Sequence, residues 1–168
     1  MPSPKPLLQI RPARPHDAAL ALAFIRELAE YEKLSHEVVA TERDIQTALF
    51  GEKPVAECLI AEVGGVAVGF ALFFHNFSTF EGKPGLYLED LYIKPEYRGR
   101  GYGRNLLAHL ARLAKSRGCA RFEWAVLDWN APAIRFYESL GAKIMQQWKI
   151  NRLTGEDLSR LAEESSAQ

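Results

Sequence analysis

The sequence predicts an α+β fold: a mixed β-sheet flanked by helices, in a single domain that spans residues 1–168. Three observations lead to this prediction. A hairpin of two apolar strands occupies the middle of the chain, and beyond it strands alternate with amphipathic helices. The length is sufficient for one hydrophobic core. No linker, internal repeat or low-complexity tract divides the chain.

Short sequence motifs mark the ends of several of the predicted helices and strands. Thr41 followed by Asp44 is typical of a capped helix start, Gly64-Gly65 suits a tight hairpin turn, and Pro132 fits the first turn of a helix. In chain order we predict a strand Leu8–Arg11, a helix capped by Asp17 and running to about Tyr31, a short helix from Thr41 toward Leu49, hairpin strands Ala56–Val63 and Val66–Phe77, a strand Leu86–Ile93 after a loop, a helix Tyr102–Arg117, a strand Arg121–Leu127, a helix from Pro132 to Gly141, a late strand Lys143–Ile150, a final helix capped by Thr154 and a polar tail Glu163–Gln168.

Composition narrows the classes of partner. Lys and Arg together number 21, as do Asp and Glu, so no overall field favours nucleic acid or an anionic membrane. With no secretory segment and no long apolar run, we expect a soluble cytoplasmic protein. Cys58 and Cys119 fit no metal-ligand spacing and the four histidines are scattered, so we expect no metal.

The strongest functional signal follows the strand that ends at Ile93. Three glycines alternate with Arg and Tyr over 99–103, and a Leu- and Ala-rich helix begins there. Glycine allows positive φ and close backbone approach, while amides at a helix start attract anions. Full positive charge is added by Arg98, Arg100 and Arg104. The loop is therefore predicted to bind a diphosphate, although its glycine spacing matches neither the dinucleotide fingerprint nor the P-loop.

A second segment, Trp129–Ala142, narrows the ligand. Together the two segments resemble the signature motifs of the GNAT superfamily of acetyl-CoA-dependent N-acetyltransferases. The run 98–103 fits that family's [QR]-x-x-G-x-[GA] loop, and 130–137 fits N-x-x-A-[IL]-x-[FL]-Y. The resemblance implies that acetyl-CoA is bound by residues of both motifs and of the preceding strand: Leu91, Tyr92, Ile93, Arg98, Gly99, Arg100, Gly101, Tyr102, Gly103, Arg104, Asn130, Ala133, Phe136 and Tyr137.

The resemblance extends from about Leu8 to Leu161 and covers the order of the elements. It implies a sheet splayed between the fourth and fifth strands, with acetyl-CoA lying in the V-shaped gap between them.

Acetyl transfer to an amine requires a base. An alkyl ammonium of pKa about 10.4 is neutral in only about one molecule in two to three thousand at pH 7. A nearby carboxylate can take its proton, and Glu89 and Asp90 end the strand that leads to the loop. Neighbouring strand residues point to opposite faces unless the strand bulges. The resemblance selects Glu89 as the catalytic carboxylate.

The leaving thiolate requires an acid and the carbonyl oxygen requires a donor. A phenol of pKa near 10 can protonate a thiolate whose thiol has a pKa of about 8.5. The resemblance implies that Tyr137 is this acid and that the backbone N–H of Leu91 stabilises the oxyanion.

The acceptor is indicated by a narrower resemblance. Residues 27–34, the Thr-Glu-x-Asp segment at 41–44, Leu86–Asp90 and Trp129-Asn130 resemble the spermidine/spermine (diamine) acetyltransferases and their thialysine-acetylating relatives. This implies an amine site lined by Tyr31, Glu32, Glu89, Asp90, Glu123, Trp124, Ala125 and Gln146. The hairpin turn is only Gly64-Gly65, where the mammalian polyamine enzymes have a longer insertion. Gln146 stands where the branch has an acidic residue. Both departures weaken the case for a long polyamine.

We therefore expect an N-acetyltransferase for a small diamine, a short polyamine or a thialysine-like amino acid. Two alternatives stay open: a protein lysine or N-terminal acetyltransferase, and a non-catalytic acyl-CoA-binding module. The apolar segment Trp148–Leu153 with the last helix predicts a homodimer.

Overall fold

The computed structural model describes residues 7–164. Part of the predicted polar tail, 165–168, lies outside them. The chain forms two compact units, Met1–Ala125 and Val126–Gln168. No helix within 7–164 is long and apolar enough to cross a membrane.

The first unit is built on one five-stranded mixed sheet. Its strands lie in the order β1-β2-β3-β4-β5, antiparallel except for the parallel pair β4–β5. Their bounds are β1 Leu8–Pro12, β2 Glu57–Val63, β3 Val66–Ser78, β4 Lys83–Ile93 and β5 Arg121–Trp124. Gly64 and Gly65, with φ of 60° and 79°, form the turn between β2 and β3. Positive φ at both positions matches the right-handed twist of the strands, as the sequence predicted.

Three helices cover this sheet. They are α1 Ala18–Tyr31, α2 Glu42–Phe50 and α3 Tyr102–Ser116. The apolar faces of α1 and α2 meet Ile60, Phe70 and Tyr92 in one core cluster. Tyr92 and Ile93 point to opposite faces of β4, and Gly103 of α3 lies near Ile93. Helix α3 therefore covers the other face.

The two halves of β4 have different neighbours. Residues Gly85–Leu88 pair with β3 on one side and with β5 on the other. Beyond Leu88, β4 pairs with β3 alone among the described strands. Here the register shifts, so that Leu72 is opposite Asp90 while Phe73 is opposite Leu88. Glu89 is the extra residue of a β-bulge. The predicted splay between the fourth and fifth strands is confirmed.

The second unit contains two helices, α4 Ala131–Ser139 and α5 Gly155–Glu164. Asn130 precedes α4 and its side-chain oxygen accepts a hydrogen bond from the N–H of Ala133, at 3.3 Å. Pro132 occupies the first turn, where its missing N–H leaves no bond unmade. The sequence-based prediction of α4 is confirmed.

Four predicted details differ from the structure. Asp17 precedes α1 but does not cap it, because its carboxylate accepts from the Arg14 N–H and pairs with Arg11. Strand β4 begins at Lys83, because pairing with β3 continues through Pro84. Strand β5 ends at Trp124, where its pairing with β4 ends. The predicted strand Lys143–Ile150 is wrong: the segment has no strand partner among the described residues and forms turns.

Candidate active site

The end of β4 exposes a row of backbone groups to the gap in the sheet. The N–H of Lys94 donates to the carbonyl of Val68 at 2.9 Å. Bonding to β3 alternates along an antiparallel strand, so the N–H and C=O of Leu91 and Ile93 face away from β3. The carbonyl of Ile93 accepts a bond at 2.8 Å from Nε of Arg98, which confirms this direction. The N–H of Leu91 is therefore placed as a donor toward the gap.

The glycine loop, residues 98–103, is separated from the end of β4 by the four residues 94–97. Gly99 and Gly101 have φ of 73° and 82°, and a Cβ built at either would meet no atom within 4 Å. The open space and the left-handed backbone leave room for a ligand on the loop. Gly103 was also expected to have positive φ. It lies instead within the first turn of α3, where a Cβ would meet Ile93 at 4.0 Å.

The start of α3 supplies donors for an anion. The first helical bond is donated by the N–H of Asn105 to the carbonyl of Gly101, at 3.0 Å. The N–H groups of Tyr102, Gly103 and Arg104 precede that bond and point along the helix axis. With the positive end of the helix dipole they form an anion site. The residues of this loop thus fit the diphosphate of acetyl-CoA.

The predicted arginines differ in their surroundings. Arg100 donates to the carbonyl of Glu96 at 3.1 Å and lies over the ring of Tyr97, while Arg104 is exposed on α3. Arg98 lies over two rings, with 4.9 Å to the centroid of Tyr31. The guanidinium groups of Arg100 and Arg104 therefore stay beside the loop, whereas that of Arg98 contacts the end of α1.

Tyr92 was predicted as a cofactor residue, and the structure places its side chain in the core. The ring is 5% exposed and packs at 6.0 Å from Phe24. Its hydroxyl hydrogen-bonds to Glu27, and burial together with that carboxylate raises the pKa of Tyr92 to about 12. The side chain belongs to the core, which leaves only its backbone to a cofactor.

An acidic cluster lies where β4 passes the end of α1. Glu89 is exposed at the bulge and Asp90 next to it is half-buried. Burial, with the charges of Glu89 and Glu32, raises the pKa of Asp90 to about 6. Burial also raises the pKa of Glu32. Asp90 is thus close enough to both Glu89 and Glu32 for like-charge repulsion, which is a suitable setting for a cation.

A further group of side chains surrounds Tyr87, two residues before the bulge. Burial and the charges of Glu89 and Glu123 raise the pKa of Tyr87. Glu123, predicted in the amine site, is paired with Arg121 and accepts a bond from Asn76 at 3.5 Å. Sequence reasoning missed this group. The period of two along β4, which puts Tyr87 and Glu89 in line, was the signal that could have found it.

The remaining predicted residues have these positions. Trp124 ends β5, with its ring 4.9 Å from that of Phe122, and Ala125 follows it. In the second unit, spacings of three and four put Asn130, Ala133 and Tyr137 on one side of α4. Phe136 has its ring 5.4 Å from that of Tyr137, and Gln146 lies in the turn segment before α5. Their roles stay predictions.

Among residues 7–164 no group of three or more His, Cys, Asp or Glu side chains could hold a metal ion. The chemistry available in the first unit is thus a carboxylate, a backbone donor and an anion site along one strand and its loop.

The sequence profile of the acetyltransferase (GNAT) family matches residues 22–142. The chain is a GNAT acetyltransferase. The matched region contains the open end of β4, the glycine loop and α4. GNAT acetyltransferases use acetyl-CoA, and the anion site described above fits it.

Curated relatives of this GNAT acetyltransferase span almost its whole length. Thialysine N-epsilon-acetyltransferase of Sus scrofa is 42% identical over 164 residues, covering 91% of this chain and 96% of the relative. L-ornithine N5-acetyltransferase NATA1 of Arabidopsis thaliana is 30% identical over 198 residues, covering 91% and 87%. These relatives show that the chain is an N-acetyltransferase.

Solved structures share the fold. An integron cassette protein from the mobile metagenome of V. cholerae matches with a TM-score of 0.78 and 27% identity, covering 93% of this chain and 98% of that one. An aminoglycoside acetyltransferase from an uncultured soil metagenomic sample matches with a TM-score of 0.74 at 16% identity, covering 89% and 97%. The mixed sheet flanked by helices is the GNAT fold.

Proposed function

We propose that this GNAT acetyltransferase transfers acetyl from acetyl-CoA to a primary amine of a small diamine or of a thialysine-like amino acid, by direct attack within a ternary complex. One observation supports it above the others. The bulge residue Glu89, the outward N–H of Leu91 and the glycine loop follow one another along the open end of β4.

Binding of the diphosphate is assigned to the loop and the start of α3. Gly99 and Gly101 leave the space, the N–H groups of 102–104 donate, and Arg100 and Arg104 supply charge. Asn130, Ala133 and Phe136 are proposed to bind the rest of the cofactor. When bound, acetyl-CoA supplies the acetyl group as a thioester.

Glu89 is the proposed base. Deprotonating an ammonium of pKa about 10.4 at pH 7 requires about 4–5 kcal/mol, and a carboxylate beside it can accept the proton directly or through water. Because Glu89 is exposed at the bulge, it remains accessible to a bound amine. As the amine attacks, the N–H of Leu91 donates to the carbonyl oxygen on which negative charge develops.

Tyr137 is the proposed acid. Donation of its phenolic proton to the leaving sulfur prevents expulsion of a bare thiolate, and solvent can return the proton. A phenol near pKa 10 has the proton at neutral pH, as this role requires.

The acidic cluster is the proposed reason for a cationic acceptor. Asp90 is close to both Glu89 and Glu32, and above pH 6 Asp90 is ionised. A second ammonium group would reduce the repulsion among these carboxylates. The named activities of the thialysine and ornithine relatives support an acceptor with two cationic groups. Tyr31, Glu123, Trp124, Ala125 and Gln146 are proposed to complete the amine site, in a homodimeric enzyme.

A panel of amines tests the proposal, with thiol release from acetyl-CoA as the readout. Diamines and thialysine should exceed monoamines of equal length in kcat/KM by about tenfold or more, the value of one charge-assisted contact. Spermine should not be the best substrate. Turnover of lysine-containing peptides alone would establish a protein acetyltransferase instead, and absence of turnover with every amine would establish a binding module.

A further inference from the structure

Arg98 occupies the first position of the glycine loop, yet its side chain is directed toward α1. Its Nε donates to the carbonyl of Ile93 at 2.8 Å. Its guanidinium carbon lies 4.9 Å from the ring centroid of Tyr31 and 5.4 Å from that of Tyr92. Both distances are within the range of cation–π attraction. One side chain therefore connects the loop, the open end of β4 and the last residue of α1.

The two rings belong to the elements that contain the acidic cluster, since Tyr92 lies on β4 and Tyr31 ends α1. Tyr92 is buried, and its hydroxyl bonds to Glu27 of α1. Tyr31 directly precedes Glu32, whose charge contributes to the raised pKa of Asp90. A shift of Tyr31 would thus move a carboxylate of the acidic cluster.

The end of α1 is a strained turn. Lys33 has φ of 62°, in the left-handed region that residues with a Cβ seldom adopt. The turn is closed by the N–H of Leu34, which donates to the carbonyl of Ala29 at 2.8 Å. Such a turn persists only where its surroundings hold it, and the stacked guanidinium is one such support.

Arg100 provides the contrast within the same loop. Its contacts are the carbonyl of Glu96 and the ring of Tyr97, both within the segment that joins β4 to α3. The two arginines are two residues apart, and of them it is Arg98 that lies over a ring of α1.

We propose that Arg98 is a positioning residue which couples cofactor binding on the glycine loop to the order of the α1 end, and hence to the placement of Glu32 for the acceptor. The inference rests on the proposed function for the identity of the acceptor, but the coupling itself does not require an amine. Acetyl-CoA fixes the loop, the loop fixes Arg98, and Arg98 fixes Tyr31.

Hydrogen exchange measures this coupling without turnover. In the unaltered enzyme, CoA should slow amide exchange in residues 28–34 by about fivefold or more, the lower range of couplings between sites. In Arg98→Gln, which retains a donor for Ile93 but loses the cation, the loop should still be protected by CoA while 28–34 should not. Arg112→Gln makes the same chemical change on the exposed face of α3 and should retain the protection.

Kinetics, cofactor binding and a second variant test the assignment further. Arg98→Gln should raise the KM for the amine about five- to tenfold and leave the Kd of acetyl-CoA within about threefold. If Arg98→Gln does not fold, Tyr31→Leu removes the same contact from the other side and should abolish the same protection. The double variant should raise the KM for the amine no further than Arg98→Gln alone, because the two residues share one contact.

The opposite pattern overturns the proposal: a large rise in the Kd of acetyl-CoA with protection of 28–34 by CoA preserved at saturation. That result would make Arg98 a phosphate ligand. If the enzyme acetylates no amine, the proposed function fails while the exchange experiment still decides the coupling.

Discussion

The two halves of β4 belong to one strand but differ in their strand neighbours and in their side chains. Between Gly85 and Leu88 the strand has hydrogen-bonded neighbours on both sides, and Leu86 and Leu88 are almost completely buried. From Glu89 to Ile93 the strand pairs with β3 alone among the described strands, the register shifts, and two adjacent residues are carboxylic acids. The first half is bonded into the sheet on both sides, whereas the second half contains the proposed base and the proposed oxyanion donor.

The comparison shows how unpaired backbone groups of a strand can become part of a binding site. Unpaired backbone groups at the edge of a strand are usually a liability that proteins cover. Here they face the gap beside the glycine loop, where a thioester can use them. Changes in the paired half should therefore affect stability more than activity, and loss of Glu89, the proposed base in the open half, should affect activity.

Glu89→Gln should have the largest effect. The amide retains the shape of the side chain but cannot accept the ammonium proton, so kcat should fall by roughly 10²–10⁴-fold. Steady-state kinetics from pH 6 to 10 measures this, and high pH should partly restore turnover by supplying neutral amine. Glu52→Gln, at an exposed turn, is the control. An unaltered pH profile would remove Glu89 from the base role.

Gly85→Ala tests the paired half. A Cβ there would lie 2.2 Å from Oδ1 of Asn76 and 3.2 Å from Cγ of Arg121, so a neighbour must move. Urea unfolding should show a loss of about 1–3 kcal/mol, with kcat/KM near that of the unaltered enzyme. The double variant Gly85→Ala, Asn76→Ala should recover part of the loss. Equal stability with lost activity would reverse the roles of the two halves.

Gly101→Val tests the loop that follows the open half. The left-handed φ of 82° is strained for a branched residue, and the added atoms fill the space left for a ligand. Isothermal titration should show about tenfold weaker acetyl-CoA binding by folded protein. Gly118→Val introduces similar strain, at φ of 70°, beyond the other end of α3. If both variants bind equally, the loop does not form the cofactor site.

Asp90→Asn should have the smallest effect, and its sign depends on pH. The pKa of Asp90 is about 6 in the folded state, against about 3.9 in the unfolded chain. The folded state therefore binds the proton more tightly, and stability falls as the pH rises from about 4 to 6. Removing the charge should stabilise the protein by about 1 kcal/mol at pH 7, since a buried amide also costs desolvation, and by nearly nothing at pH 4. Urea midpoints at both pH values measure the difference; an equal gain at both would mean that ionisation is not the cause.

Local signals were sufficient to predict most of the fold. The Gly64-Gly65 turn, the Thr41–Asp44 cap and the position of Pro132 in the first turn of its helix are each determined within a few residues, and each was confirmed. The strand predicted at Lys143–Ile150 failed because an apolar run does not supply a pairing partner. Strand identity depends on non-local bonds that a sequence window does not contain.

The candidate site likewise contains features that local sequence predicts and features that depend on tertiary contacts. The glycine loop was predicted from residue type and order, whereas the choice of Glu89 over Asp90 came from the family resemblance, and a bulge was stated as the condition for both carboxylates to face one ligand. The surroundings of the Tyr92 side chain could not be predicted, because its contact with Phe24 and its bond to Glu27 depend on the packing of α1 against β4. The direction of Arg98 toward Tyr31 is likewise a tertiary contact between distant segments.

The most direct test of the central claim, that the open half of β4 is where the thioester binds, is an amide NMR titration with acetyl-CoA. The claim predicts large shifts for the N–H groups of Leu91 and Ile93 and of 99–104, with Leu86 and Leu88 nearly unchanged. Equal shifts along both halves of β4, or shifts confined to other strands, would contradict it.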